Sequence, residues 1–146
     1  MESSKFILPT EGYFMRNQNK IMTKNILFYS PDFNLCYSLL MYLQDKYNVT
    51  VSTDFHILNS LTKSNNFDLL IIDSEPVAKI EQLCADLNNS SSNLKIILAY
   101  VYDDKMNAAE KRIRKYISTI LYKPFDLTEI SKSFPNIVKQ SNIELQ

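Results

Sequence analysis

Apolar positions along this chain follow two rhythms. Short runs rich in Ile, Leu, Val and Tyr fall at 25–30, 48–52, 67–73, 94–101 and 118–122, and helix-spaced stretches lie between them. The helical faces are marked by Phe33, Cys36, Leu40 and Leu43, then Phe55, Leu58 and Leu61, then Val77, Ile80, Leu83 and Leu87, then Met106, Ala109, Ile113 and Tyr116. The runs FDLLIID and LKIILAYV are apolar almost throughout, as strands covered on both faces must be. Five strands alternating with helices predict a three-layer α/β sandwich around a parallel sheet. Asp126 with Glu129 three residues on predicts a last helix, which Pro135 shortens or kinks. On the first helix Leu35, Leu39 and Tyr42 add a second apolar stripe that the same sheet cannot also cover, so outward apolar surface is expected there.

Residues 1–23 carry Pro9, the single glycine Gly12 and a polar NQNK stretch without steady periodicity. They predict a poorly ordered arm ahead of a domain at 24–140, with a short tail at 141–146.

Composition removes several kinds of chemistry. Sixteen basic and sixteen acidic residues cancel, so no global field draws the chain to nucleic acid or an anionic membrane. One histidine and two cysteines cannot furnish four zinc ligands or an HExxH pair. A single glycine, where average usage gives about ten, excludes a Walker A loop and a GxGxxG turn. The longest apolar run, 96–102, is far shorter than the ~20 residues of a membrane helix. Glu2 and the lack of a sustained apolar h-region argue against a secretory signal, and a cytoplasmic protein is expected. Cys36 and Cys84 then read as buried small hydrophobes, and His56 as a surface or boundary residue. No Arg stands seven positions after either cysteine, where Leu43 and Ser91 fall, which removes a tyrosine-phosphatase loop.

In parallel α/β sheets ligands bind beyond the carboxyl ends of the strands. The residues there are Ser30, Pro31 and Asp32, then Asp73 and Glu75, then 100–104, then Lys123 and Pro124. Asp73 and Lys123 close separate strands and are expected to face one another as an ion pair. The run FDLLIID ending in Asp73, the YKPF segment with Lys123 and Pro124, and the five-fold βα order resemble the receiver domain of bacterial two-component response regulators. The resemblance covers roughly residues 24 to 140 and implies a flavodoxin-like doubly wound (βα)5 fold, with a five-stranded parallel sheet of order 2-1-3-4-5. It implies a phosphoacceptor at Asp73, a phosphate contact at Lys123, and a cis peptide before Pro124.

Departures from the receiver pattern shape the functional expectation. Where receivers hold Mg²⁺ with an acidic pair, ILFYSPDF places Ser30 and Pro31, leaving Asp32 and Asp73 as weak metal candidates. Mg²⁺ is expected to bind weakly, and Asp73 to be a poor acceptor without a cation beside it. The Thr or Ser that ends the fourth strand of receivers is replaced by Tyr100, or by Val101 with a shift of one, and the aromatic switch position is Ile120.

The reading is an atypical single-domain receiver without enzymatic activity. It acts through contacts with a histidine kinase or a downstream signalling protein, or as a homodimer. Two alternatives stand beside it: a working phosphorelay receiver phosphorylated on Asp73, and a nucleic-acid-binding module. The latter would use Lys105, Lys111, Arg112, Arg114 and Lys115 on the fourth helix.

Overall fold

A computed structural model describes residues 3–7, 13–17, 24–90, 93–124, 126, 128 and 132. In chain order the elements are β1 (Ser3–Ile7), β2 (Tyr13–Asn17), β3 (Asn25–Tyr29), α1 (Phe33–Leu43), β4 (Asn48–Ser52) and α2 (Leu58–Ser64). They continue with β5 (Leu69–Asp73), α3 (Ala78–Ser90), β6 (Lys95–Tyr100), α4 (Asn107–Ile113) and β7 (Thr119–Tyr122). The sheet has the order β2-β1-β4-β3-β5-β6-β7. Its last five strands are the parallel 2-1-3-4-5 arrangement of a flavodoxin-like fold. The chain divides into two compact units, Met1–Leu70 and Ile71–Gln146, with the boundary inside β5.

In the first unit β3 and β4 pair in parallel, Ile26 opposite Val49 and Phe28 opposite Val51. Ile26, Leu27, Phe28, Val49 and Val51 are all fully buried, the burial on both faces that a continuously apolar strand calls for. Asp32 begins α1, its Oδ1 accepting from the Asn34 and Leu35 amides, and so supplies partners for two orphan donors of the first turn. The helix buries Cys36, Leu39, Leu40 and Leu43. This corrects the expected face at two positions: Phe33 is 51% exposed, and Leu39 points inward. Phe33 lies at the very start of the helix, whereas 36, 39, 40 and 43 form the contiguous i, i+3, i+4, i+7 stripe that one sheet surface can cover. The outward surface consists of Phe33, Tyr37, Met41 and Tyr42.

The N-terminal arm supplies two strands that the sequence rhythm does not announce. β1 and β2 pair antiparallel, Lys5 opposite Met15, and β1 runs parallel to β4 with Phe6 opposite Val51. This docking is a long-range backbone pairing with the edge of β4, which periodicity within 1–23 cannot reveal.

In the second unit β6 pairs in parallel with β7, Leu98 opposite Ile120 and Tyr100 opposite Tyr122. Helix α3 buries Ile80, Leu83, Cys84 and Leu87, three of the four predicted positions plus the cysteine, while Val77 precedes the helix and is half-buried. Burial pushes the Cys84 thiol up to about 12, with the Glu81 charge adding to it, as suits an inert core thiol. A 3₁₀ turn, Asp104–Met106, precedes α4 and is capped by Asp103, which accepts from the Lys105 amide. The last helix predicted from Asp126 and Glu129 falls largely outside the described residues, as does the tail 141–146. Among the described residues no helix is long and apolar enough to cross a membrane.

Candidate functional site

Two main-chain hydrogen bonds order the strand ends of the second unit. The Ser74 amide donates to the Ala99 carbonyl at 3.0 Å, and the Lys123 amide to the Tyr100 carbonyl at 2.9 Å. The peptide between Lys123 and Pro124 is cis, as the resemblance implied. With the backbone so held, Lys123 Nζ donates to Asp73 Oδ1 at 2.9 Å. The carboxylate side chain is 9% exposed and the lysine 32%, so the pair is shielded on the aspartate side and open to solvent on the other. A buried carboxylate needs such charge-assisted donors, and the pairing expected from the sequence is present.

At the end of β3 the donor set is different in kind. Ser30 is fully buried. Its amide donates to the Ser52 carbonyl at 3.2 Å, its Oγ accepts from the Asp32 amide at 3.0 Å, and its carbonyl accepts from Cys36 Sγ at 3.4 Å. Pro31 is exposed and brings no side-chain oxygen. Asp32 is exposed, and its carboxylate faces the first-turn amides of α1. Mg²⁺ requires several hard oxygens in near-octahedral array, usually anchored by carboxylates. Ser30 and Pro31 bring one hydroxyl and no carboxylate to the end of β3, and Asp32 Oδ1 accepts from the first-turn amides of α1. Among the described residues no cluster of three His, Cys, Asp or Glu side chains is arranged to hold a metal ion. This donor set does not fit the cation.

Tyr100, read from the sequence as standing where receivers carry the phosphate-sensing Thr or Ser, is engaged elsewhere. Tyr100 is buried, and its hydroxyl donates to Glu110 Oε1 at 2.5 Å. The Tyr122 hydroxyl donates to the same oxygen at 2.8 Å, and Arg114 Nη2 donates to Oε2 at 3.1 Å. The Tyr100 and Tyr122 rings meet edge to face at 5.8 Å, and Tyr102 meets Tyr122 at 5.4 Å. Burial alone would raise the Glu110 carboxyl, but the bonds from Tyr100, Tyr122 and Arg114 outweigh it and hold the group below its ordinary value. Burial, followed by the Glu110 hydrogen bond and charge, pushes the Tyr100 hydroxyl well above the usual phenol range. Val101, the alternative to Tyr100, is 60% exposed, and Ile120 is buried.

Sequence reasoning missed Glu110. It reads as one more charge on a charged helix, although i, i+4 spacing to Arg114 and a tyrosine at each of two adjacent strand ends were available signals.

The remaining candidates occupy surfaces. All five cations of the fourth-helix face are exposed. Arg112 pairs with Glu81 at 3.2 Å and Arg114 with Glu110 at 3.1 Å, which neutralises two of them locally. Lys115 lies 5.8 Å over the Tyr116 ring. His56 is exposed in the 3₁₀ turn before α2.

No family model matches the sequence, and no curated protein matches it. Solved structures do. A signal receiver domain of an HD domain-containing protein from Pseudomonas fluorescens Pf-5 superposes with a TM-score of 0.73 at 17% identity, over 88% of this chain and 96% of that one. A two-component response regulator from Clostridium difficile gives 0.70 at 18% identity, over 82% and 99%. A structure described as a novel family of redox sensors in the streptococci, evolved from two-component response regulators, gives 0.72 at 16% identity over 82% of this chain and 53% of that one. At these identities the likeness is one of fold.

Proposed function

We propose that this chain, which has the fold of a response-regulator receiver domain, is a signalling module that works through protein contacts and takes little or no phosphate on Asp73. The observation that carries the reading is the end of β3. By the resemblance, Ser30 and Pro31 fall at the acidic-pair positions, and there the Ser30 hydroxyl accepts from the Asp32 amide while Asp32 Oδ1 caps α1. Phosphoryl transfer depends on positioning and on cations that neutralise developing charge, so an aspartate without a metal beside it is a poor acceptor. The contact partner of this reading is a histidine kinase or a downstream signalling protein, and the chain itself catalyses no reaction.

The Tyr100 hydroxyl supports the same reading from the other side. Receivers of the resembled family sense phosphate with a small hydroxyl at this strand end, whereas here the hydroxyl is held by Glu110. Phosphorylation would find no mobile group to move there.

Phosphorelay through Asp73 is the second reading, favoured by one observation, the 2.9 Å contact that keeps Lys123 on the carboxylate. Titration with Mg²⁺ followed by calorimetry separates the two. The proposed reading expects no saturable binding tighter than about a millimolar. Tight binding abolished by Asp73→Asn would establish the phosphorelay reading instead. Nucleic-acid binding through α4 is the weakest reading, since Arg112 and Arg114 already have acidic partners within the unit.

A further inference from the structure

The acid and the lysine of the ion pair take their places from adjacent residues of one strand. Ser74, next to Asp73, donates its amide to the Ala99 carbonyl, and Lys123 donates its own to the Tyr100 carbonyl. The β6–β7 register ends where Tyr100 faces Tyr122, so Lys123 lies one residue past the ladder. Pro124 follows it and has no N–H with which to carry the ladder further. Successive side chains of a strand leave on opposite faces, so whatever fixes the Tyr122 ring also fixes how the end of β7 is turned and where Lys123 is aimed.

Glu110 supplies that fixture. One oxygen of its carboxylate accepts from Tyr122 at 2.8 Å and from Tyr100 at 2.5 Å, and the carbonyl of Tyr100 is the one that holds the Lys123 amide. Carboxylate, two tyrosine side chains and the main chain between them thus close a ring on which Lys123 is mounted. The ring is stiff, because Tyr100 is buried, the two aromatic rings meet edge to face, and Arg114 holds the other oxygen of Glu110 at 3.1 Å. We propose that Glu110 is a positioning residue for the Asp73 and Lys123 pair, acting through Tyr100 and Tyr122 to keep the ammonium on the carboxylate. Asp73 is thereby kept beside a cation of the chain itself, and loss of the clamp leaves the carboxylate bare at its strand end. This role deepens the reading of Asp73 as a weak acceptor and rests on it, but the pair can be followed without phosphate, so the two can fail separately.

The test reads the side-chain ammonium resonance of Lys123 in the full chain carrying nitrogen-labelled lysine, assigned by its loss in Lys123→Met. Asp73→Asn marks where the resonance lies without the carboxylate. Glu110→Ala is expected to move it toward that position, and Tyr122→Phe to move it the same way by less. Arg112→Gln breaks the α4 ion pair to Glu81, which lies outside the ring, and should leave the resonance in place, separating positioning from a general loosening of the helix. If Glu110→Ala fails to fold, Tyr122→Phe decides alone, since water replaces the lost bond at a residue that is 41% exposed. A resonance that keeps its wild-type position in every folded variant lacking Glu110 or the Tyr122 hydroxyl would overturn the proposal. So would an equal shift in Arg112→Gln.

Discussion

Tyr100 and Tyr122 stand opposite one another on β6 and β7, and both hydroxyls converge on a single oxygen of Glu110, at 2.5 and 2.8 Å. The arrangement fastens α4 to two strand ends through a glutamate whose side chain is only 8% exposed. Removing the acceptor leaves the buried Tyr100 hydroxyl without its partner. Glu110→Ala is therefore expected to cost about 1–3 kcal/mol, measured by urea unfolding. Tyr122→Phe should cost less, since Tyr122 is 41% exposed and water replaces the lost bond. Equal costs for the two variants would show that Glu110 is not the centre of the network.

The same network sets a pH dependence. Glu110 ionises below its ordinary value of 4.5 in the folded chain, so the native state holds fewer protons there than the unfolded chain does at acid pH. Its contribution to stability is present above 4.5 and is lost as pH falls through the lower folded value. Tyr100 behaves in reverse: its hydroxyl is raised above 10.0, so its contribution is complete below 10.0 and is lost as pH rises beyond it. The stability difference between wild type and Glu110→Gln should be level from about pH 6 to 8 and shrink below about pH 4. A difference that stays level down to about pH 3 would contradict the assignment.

Much of this fold can be read from the chain, because parallel strands buried on both faces leave continuous apolar runs such as LLIID and KIILAY. The ion pair was also legible, since an acid and a lysine that close separate strands at the same end of one sheet have few other ways to be satisfied. The hairpin at β1 and β2 was not legible. Its support is backbone pairing to β4, which leaves no periodic trace in residues 1–23. Glu110 was hidden for a different reason: its burial depends on where Tyr100 and Tyr122 end their strands, a matter of tertiary register.

Helix α1 offers a direct check on which of its stripes packs. Leu39 is fully buried and Phe33 is 51% exposed. Leu39→Ala should cost about 2–5 kcal/mol, and Phe33→Ser should stay within about 0.5 kcal/mol of wild type. If the outward residues Phe33, Tyr37 and Met41 meet a signalling partner, Tyr37→Glu should abolish partner capture without lowering the melting temperature. Similar losses for Leu39→Ala and Phe33→Ser would reverse the assignment of the faces.

The Asp73 and Lys123 pair predicts a coupling. A charge-assisted hydrogen bond to a mostly buried carboxylate contributes about 1.5–3 kcal/mol, less what the 32% exposure of the lysine allows water to replace. Lys123→Met should destabilise the chain more in the wild-type background than in Asp73→Asn, by about 1 kcal/mol in a double-mutant cycle. Additive losses would mean the contact carries no coupling.

The claim that Asp73 is a poor acceptor is tested most directly by intact-mass spectrometry after incubation with acetyl phosphate and Mg²⁺. Wild type is expected to remain at its unmodified mass, while the double variant Ser30→Asp with Pro31→Asp, which introduces an acidic pair at the end of β3, gains one phosphoryl group that Asp73→Asn removes. Stoichiometric phosphorylation of the wild-type chain on Asp73 would contradict the account.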